Sequence, residues 1–157
     1  MYPQSHFLFS FFVGMIFVKF GFFDYRIALL IGFVGLLIDM DHYITFLVKY
    51  KYRDLKFKDS WNRAVKGVYA GRGFIHHELG IILISIVLLM LYDFNMTLFW
   101  VFALGYYSHI FLDYAHLNIL KIKTRITFRA AGLVEKINKF EILFDIFLIF
   151  GIILLFF

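Results

Sequence analysis

Five runs of apolar residues dominate the chain, at roughly Phe7–Val18, Ile27–Val48, Leu79–Tyr92, Met96–Leu112 and Ile142–Phe157. None alternates with the period of a half-buried strand, and each is apolar around the whole helical circumference rather than along one stripe. In lipid, only helices and closed barrels satisfy every backbone polar group, so the runs predict membrane helices. A span needs about 20 apolar residues. The first and third runs reach that only with flanking residues, and the third becomes adequate if its helix begins near Phe74. The expected fold is all-α: a polytopic membrane bundle of about five transmembrane helices, one domain over residues 1–157.

Two stretches between the runs have other patterns. In the basic loop 49–73, Trp61, Val65, Val68 and Tyr69 recur at helical spacing, with Arg63 and Lys66 between them. Ser60 or Asp59 suits the cap of such a helix, which would lie along the bilayer surface. In the basic segment 113–140, Ile122, Thr124, Ile126 and Phe128 alternate with Lys121, Lys123, Arg125 and Arg129. That alternation fits an extended or interfacial segment.

Composition agrees with the membrane reading. Of 157 residues, 62% are hydrophobic and 23 are phenylalanine. A soluble core of this length cannot hide that much apolar surface, so a lipid bilayer is the first expected partner. The first run lacks a basic leader and a small-x-small cleavage site, and reads as a helix rather than a cleavable signal. Fourteen of the sixteen lysines and arginines fall in the two basic segments. The positive-inside rule then places both segments in the cytoplasm, the amino terminus inside and the carboxyl terminus outside an inner membrane. The net charge of +5 is accounted for by topology and headgroup contacts, and no specific nucleic-acid partner is expected. The absence of cysteine excludes disulfides, thiolate zinc sites, cysteine-ligated clusters and a cysteine nucleophile.

Against that apolar background the ionisable residues stand out. Asp39-Met40-Asp41-His42 interrupts the second run. Charges at membrane depth are costly and are kept when paired, metal-bound or facing a watery cavity. On the lysine-derived topology, His6, His42, His76, His77, His109 and His116 all fall at the cytoplasmic face. His109 and Asp113 are four apart and share a helix face, as do Asp39 and His42 three apart. Asp39 and Asp41 converge on one ion only through a break in the helix, or they divide the work, one binding directly while the other orients a histidine. Imidazole with carboxylate suits zinc first, and manganese or iron also. The bland readings are a helix ending at the water interface for Asp39–His42, a hydrogen-bonded pair for His109 and Asp113, and an anchor for His6. Glu78, Glu141 and Asp145 lie near the inner ends of their helices, with Glu78 and Glu141 candidates for a late ligand or general base. Arg72, flanked by Gly71 and Gly73, suits an anionic group because its planar fork matches phosphate.

The order of these motifs resembles the YdjM family of small membrane-bound, predicted metal-dependent hydrolases. The corresponding residues are His6, Asp39-Met40-Asp41-His42, Arg72-Gly73-Phe74-Ile75-His76 and Ser108-His109-Ile110-Phe111-Leu112-Asp113. Ile38 stands where the family usually has proline, and His77 and His116 stand where small hydroxyl residues are common. The resemblance implies a metal set of His6, Asp39, Asp41, His42, His76, His109 and Asp113. It assigns Asp41 and Arg72 catalytic roles and leaves His77, His116, Glu78 and Glu141 accessory. The family is similar at fold level to zinc-dependent phospholipases C, which implies a phosphoester or lipid-related substrate by analogy. The rival functions are a transporter, whose polar site belongs near the midplane, a haem or electron-transfer protein, and a scaffold with a structural metal.

Overall fold

A computed structural model describes residues 3–40, 74–115 and 139–157 with their side chains, and 125–130 and 133–138 as backbone. Among these residues are five helices: α1 (Pro3–Lys19), α2 (Tyr25–Leu37), α3 (Glu78–Phe94), α4 (Met96–Ala115) and α5 (Lys139–Phe156). Each matches one apolar run. The all-α expectation needs one addition, a two-stranded antiparallel hairpin of β1 (Arg125–Ala130) and β2 (Leu133–Asn138). Arg125 pairs with Asn138 and Ala130 with Leu133. β1 covers most of the alternating stretch, and β2 runs straight into α5. The proposed surface helix around Trp61 lies outside the described residues.

Two helix boundaries differ from the hydrophobic pattern. The second run continues to Val48, but α2 stops at Leu37 and Asp39 sits in a turn. The third helix does not start near Phe74. Phe74–His76 form a separate 3-10 turn, His77 is extended at φ −86° and ψ 155°, and α3 begins at Glu78. Run lengths do not mark either break, because apolar residues resume beyond Asp39–His42 and lie before His76 as well as after Glu78. The break at His77 separates His76 from α3.

α1 and α2 make a hairpin. Gly21 takes φ +77° in the turn, a conformation that costs glycine no Cβ clash. Asp24 then caps α2, its carboxylate accepting from the amides of Arg26 at 2.8 Å and Ile27 at 3.1 Å. α1 packs on α2, α4 and α5; α2 also packs on α4; α3 packs on α4 and on the 3-10 turn. Closeness between α1 and α2 depends on Gly35, where a Cβ would collide with the Ser10 side chain. Small residues at such crossings are the usual means of bringing membrane helices together.

The distribution of polarity is inverted. Ser5, His6, Ser10, His76, Ser108, His109 and Glu141 are buried, while Ile82, Val87 and Met90 of α3 and Ile146, Phe150 and Leu154 of α5 face outward. A contiguous apolar exterior of this kind calls for a covering medium. No helix among the described residues is long and apolar enough to cross a membrane.

Candidate metal centre

Four segments deliver side chains to one buried place. α1 contributes His6 from its first turn, and the turn after α2 contributes Asp39. The 3-10 turn contributes His76, and the last two turns of α4 contribute His109 and Asp113. The i, i+4 spacing of His109 and Asp113 aims both at the same side, as the sequence indicates. Tyr106, one turn earlier, donates from its hydroxyl to the Ile75 carbonyl at 2.7 Å and so ties the His76 turn to α4.

The five side chains form a closed ring. His6 Nε2 stands 3.3 Å from Asp113 Oδ1, and Asp113 Oδ2 stands 3.9 Å from His76 Nε2. His76 Nε2 is 3.1 Å from His109 Nε2, which is 3.7 Å from Asp39 Oδ1. Asp39 Oδ2 closes the ring at 4.0 Å from His6 Nε2. Each carboxylate turns its two oxygens toward different histidines, the disposition of a bridging ligand. The His6 and His109 rings stack with centroids 3.9 Å apart.

These residues fit a divalent ion. His109 Nδ1 lies 2.8 Å from the Gly35 carbonyl oxygen, which can only accept. Nδ1 therefore carries the proton, and in the neutral ring Nε2 is left with a lone pair aimed at the other donors. Ligands held at 2.0–2.1 Å around one tetrahedral zinc stand about 3.3 Å apart. The observed separations bracket that value. Two overlapping sets, His6–His109–Asp113 and Asp39–His76–His109, each bring three ligand atoms within 4.8 Å of one another. His109 belongs to both. Two carboxylates facing three buried imidazoles also present net negative charge where desolvation is expensive, and a cation compensates it.

Not every expected residue is in the ring. His77 and Glu78 are exposed at the start of α3, and neither belongs to the two ligand sets. His77, expected as accessory, is an extended residue just ahead of α3. Glu141 is buried on α5 and accepts a hydrogen bond from Ser5 Oγ at 3.0 Å. Asp41, His42, Arg72 and His116 lie outside the described residues. The Gly35 carbonyl and the Tyr106 hydroxyl carry no motif. Tyr106 shares the His109 face three residues away, the one sequence signal that points to it.

An apolar helical bundle enclosing a buried cluster of histidine and aspartate, with a donor set that could hold a metal ion, is the class of protein that the fold and the site define. The chain belongs to the YdjM inner membrane protein family, whose model matches residues 1–118. Comparisons with curated proteins and with solved structures give no match.

Proposed function

We propose that this protein is a membrane-bound metal-dependent hydrolase acting on a phosphoester or lipid-related substrate. The observation that carries this reading is the five-membered ring of His6, Asp39, His76, His109 and Asp113, assembled from four separate segments. These residues would hold the ion, with zinc the best match and manganese or iron compatible with the same donors. A divalent ion held by these residues would supply an acidified water and Lewis-acid polarisation of a phosphoryl oxygen.

The chain's own groups do the rest. Asp39 and Asp113 neutralise positive charge, and the Gly35 carbonyl holds His109 in the ligating tautomer. Burial keeps bulk water away and strengthens each electrostatic contact. Asp41 is assigned as the proton-accepting carboxylate and Arg72 as the clamp on the anionic substrate, both from the family motif. The amino terminus and the centre are placed on the cytoplasmic side of the inner membrane, from the distribution of lysine and arginine. The likeness to zinc-dependent phospholipases C rests on helical architecture and donor chemistry, and it is the reason a phosphoester is preferred over another ester.

Full-length protein in detergent tests the proposal by metal analysis followed by a phosphoesterase panel. Stoichiometric zinc or manganese is expected, with headgroup or phosphate release that disappears in His109→Ala and Asp41→Asn. Metal retention without any turnover across the panel would leave a structural metal protein, and a Soret band would replace the reading with haem.

A further inference from the structure

α5 lies beyond residues 1–118, the part of the chain that the family model matches, yet it places two carboxylates beside the ring. Glu141 and Asp145 are four apart and share one helix face. Glu141, in the first turn of α5, is 4% exposed, and α5 packs against α1. Ser5 of α1, fully buried, donates to Glu141, and Ser5 immediately precedes His6. Asp145 is within interaction range of Ser5, Glu141 and His6. An acid pair set in an otherwise apolar helix, facing inward, is costly unless it serves a partner.

Two orphaned atoms have complementary needs. His6 Nδ1 and Asp145 Oδ1 are both buried, and neither has a hydrogen-bond partner among the described residues. One can donate and the other accepts. His109 meets the same need through the Gly35 carbonyl, whereas no backbone group does this for His6. Ligating histidines nearly always give their second ring N–H to a carboxylate, carbonyl or water, which fixes the tautomer and raises ligand basicity.

We propose that Asp145 is the positioning carboxylate of His6, accepting from His6 Nδ1–H through one bridging water while Ser5 and Glu141 hold the acid pair in place. His6 Nε2 is then directed at Asp113 and Asp39 as a ligand. The inference rests on the metal-site reading above. It makes α5 part of the centre's support.

The test is zinc affinity of the full chain in detergent, by competition with a chromophoric chelator, for wild type, Asp145→Ala, Asp145→Glu, Glu141→Gln and Leu148→Ala. Removing such a support costs about 10–100-fold in affinity. Asp145→Ala is expected to lose that much, and Asp145→Glu to recover part of it. Glu141→Gln, which still accepts from Ser5, is expected to lose less. Leu148 is 1% exposed on the same helix, so Leu148→Ala reports what weakened α5 packing alone does. It should lower the melting temperature and leave zinc affinity within about twofold of wild type. In protein labelled with 15N-histidine, the His6 Nδ1 resonance should move in Asp145→Ala and stay in Leu148→Ala. Asp145→Ala binding zinc as tightly as wild type, or Leu148→Ala losing as much affinity, overturns the inference. A wild-type protein that takes up no zinc overturns the metal-site reading itself.

Discussion

α1 and α4 carry opposite chemistries at their two ends. Where the start of α1 meets the end of α4, His6, His109 and Asp113 converge in a polar, buried ring. Where the end of α1 meets the start of α4, Phe17 packs beside Phe23 and Trp100, with centroids 5.7 and 6.2 Å apart, and Phe99 stands edge-on to Trp100 at 5.2 Å. The aromatic end asks only for apolar groups of suitable volume, a tolerant requirement. The ring needs particular atoms at particular separations, in one tautomer. The same pair of helices thus combines a replaceable anchor with an unforgiving centre, and substitutions at the two ends should separate stability from metal binding.

The largest effect is expected from His109→Ala. It removes the one residue shared by both three-residue ligand sets among the described residues. Stoichiometric zinc retention should disappear. With zinc at 100 times its dissociation constant, wild type gains about 2.7 kcal/mol, a rise of roughly 5–10 °C in melting temperature for a chain of this size. His109→Ala should show no rise. Thermal melts with zinc and with chelator make the measurement, and an undiminished zinc shift in the variant would remove the ring from consideration.

Gly35→Ala comes next. An added Cβ meets the Ser10 side chain and approaches the His6 carbonyl oxygen to 3.3 Å. α1 and α2 must part, which shifts both His6 and the carbonyl that holds His109. Overpacking of this kind costs about 1–3 kcal/mol, and zinc affinity should fall at least tenfold because two donors move together. Adding Ser10→Gly in the same chain makes room for the methyl group and should return most of both losses. If the double variant stays as weak as Gly35→Ala, the contact with Ser10 is not the cause.

These two variants also mark what was legible in the sequence. Five apolar runs gave five helices. His6, Asp39, His76, His109 and Asp113 were recognisable because ionisable groups are conspicuous in apolar surroundings and because His109 and Asp113 keep helical spacing. The stop of α2 at Leu37 was signalled only by Asp39–His42, since apolar residues resume after them to Val48. The 3-10 turn that separates His76 from α3 was hidden. Gly35 could be seen as a small residue, but the use of its carbonyl by His109 is a tertiary fact with no local signature. His77, accessory in the sequence reading, is adjacent to a ring member in sequence yet exposed on an extended backbone.

Tyr106→Phe should have a smaller effect. It deletes the hydroxyl that reaches the Ile75 carbonyl and keeps the ring in place within the cluster of Ile38, Leu88 and Ala103. One such hydrogen bond contributes about 0.5–1.5 kcal/mol. The His76 turn should loosen, and zinc affinity should drop a few-fold while His6 and His109 remain ordered. Zinc titration alongside histidine resonances can resolve this, because His76 should be the signal that broadens. Uniform change at all three histidines would mean that Tyr106 supports the whole bundle rather than one turn.

The smallest effect on metal binding is expected at the aromatic end, and it is the most informative for the comparison. Trp100→Leu removes the ring against which Phe17, Phe23 and Phe99 pack. Loss of aromatic packing and area should cost about 1–3 kcal/mol, a drop of several degrees in the chelator-treated protein. Trp100 lies nine residues before His109, about 13 Å along α4 at 1.5 Å per residue. Substitutions at that range with no shared partner are close to additive. The zinc-induced rise in melting temperature should therefore match that of wild type, starting from a lower base. If Trp100→Leu instead weakens zinc binding as much as Tyr106→Phe does, the two ends of α4 move as one body, and the division between anchor and centre does not hold.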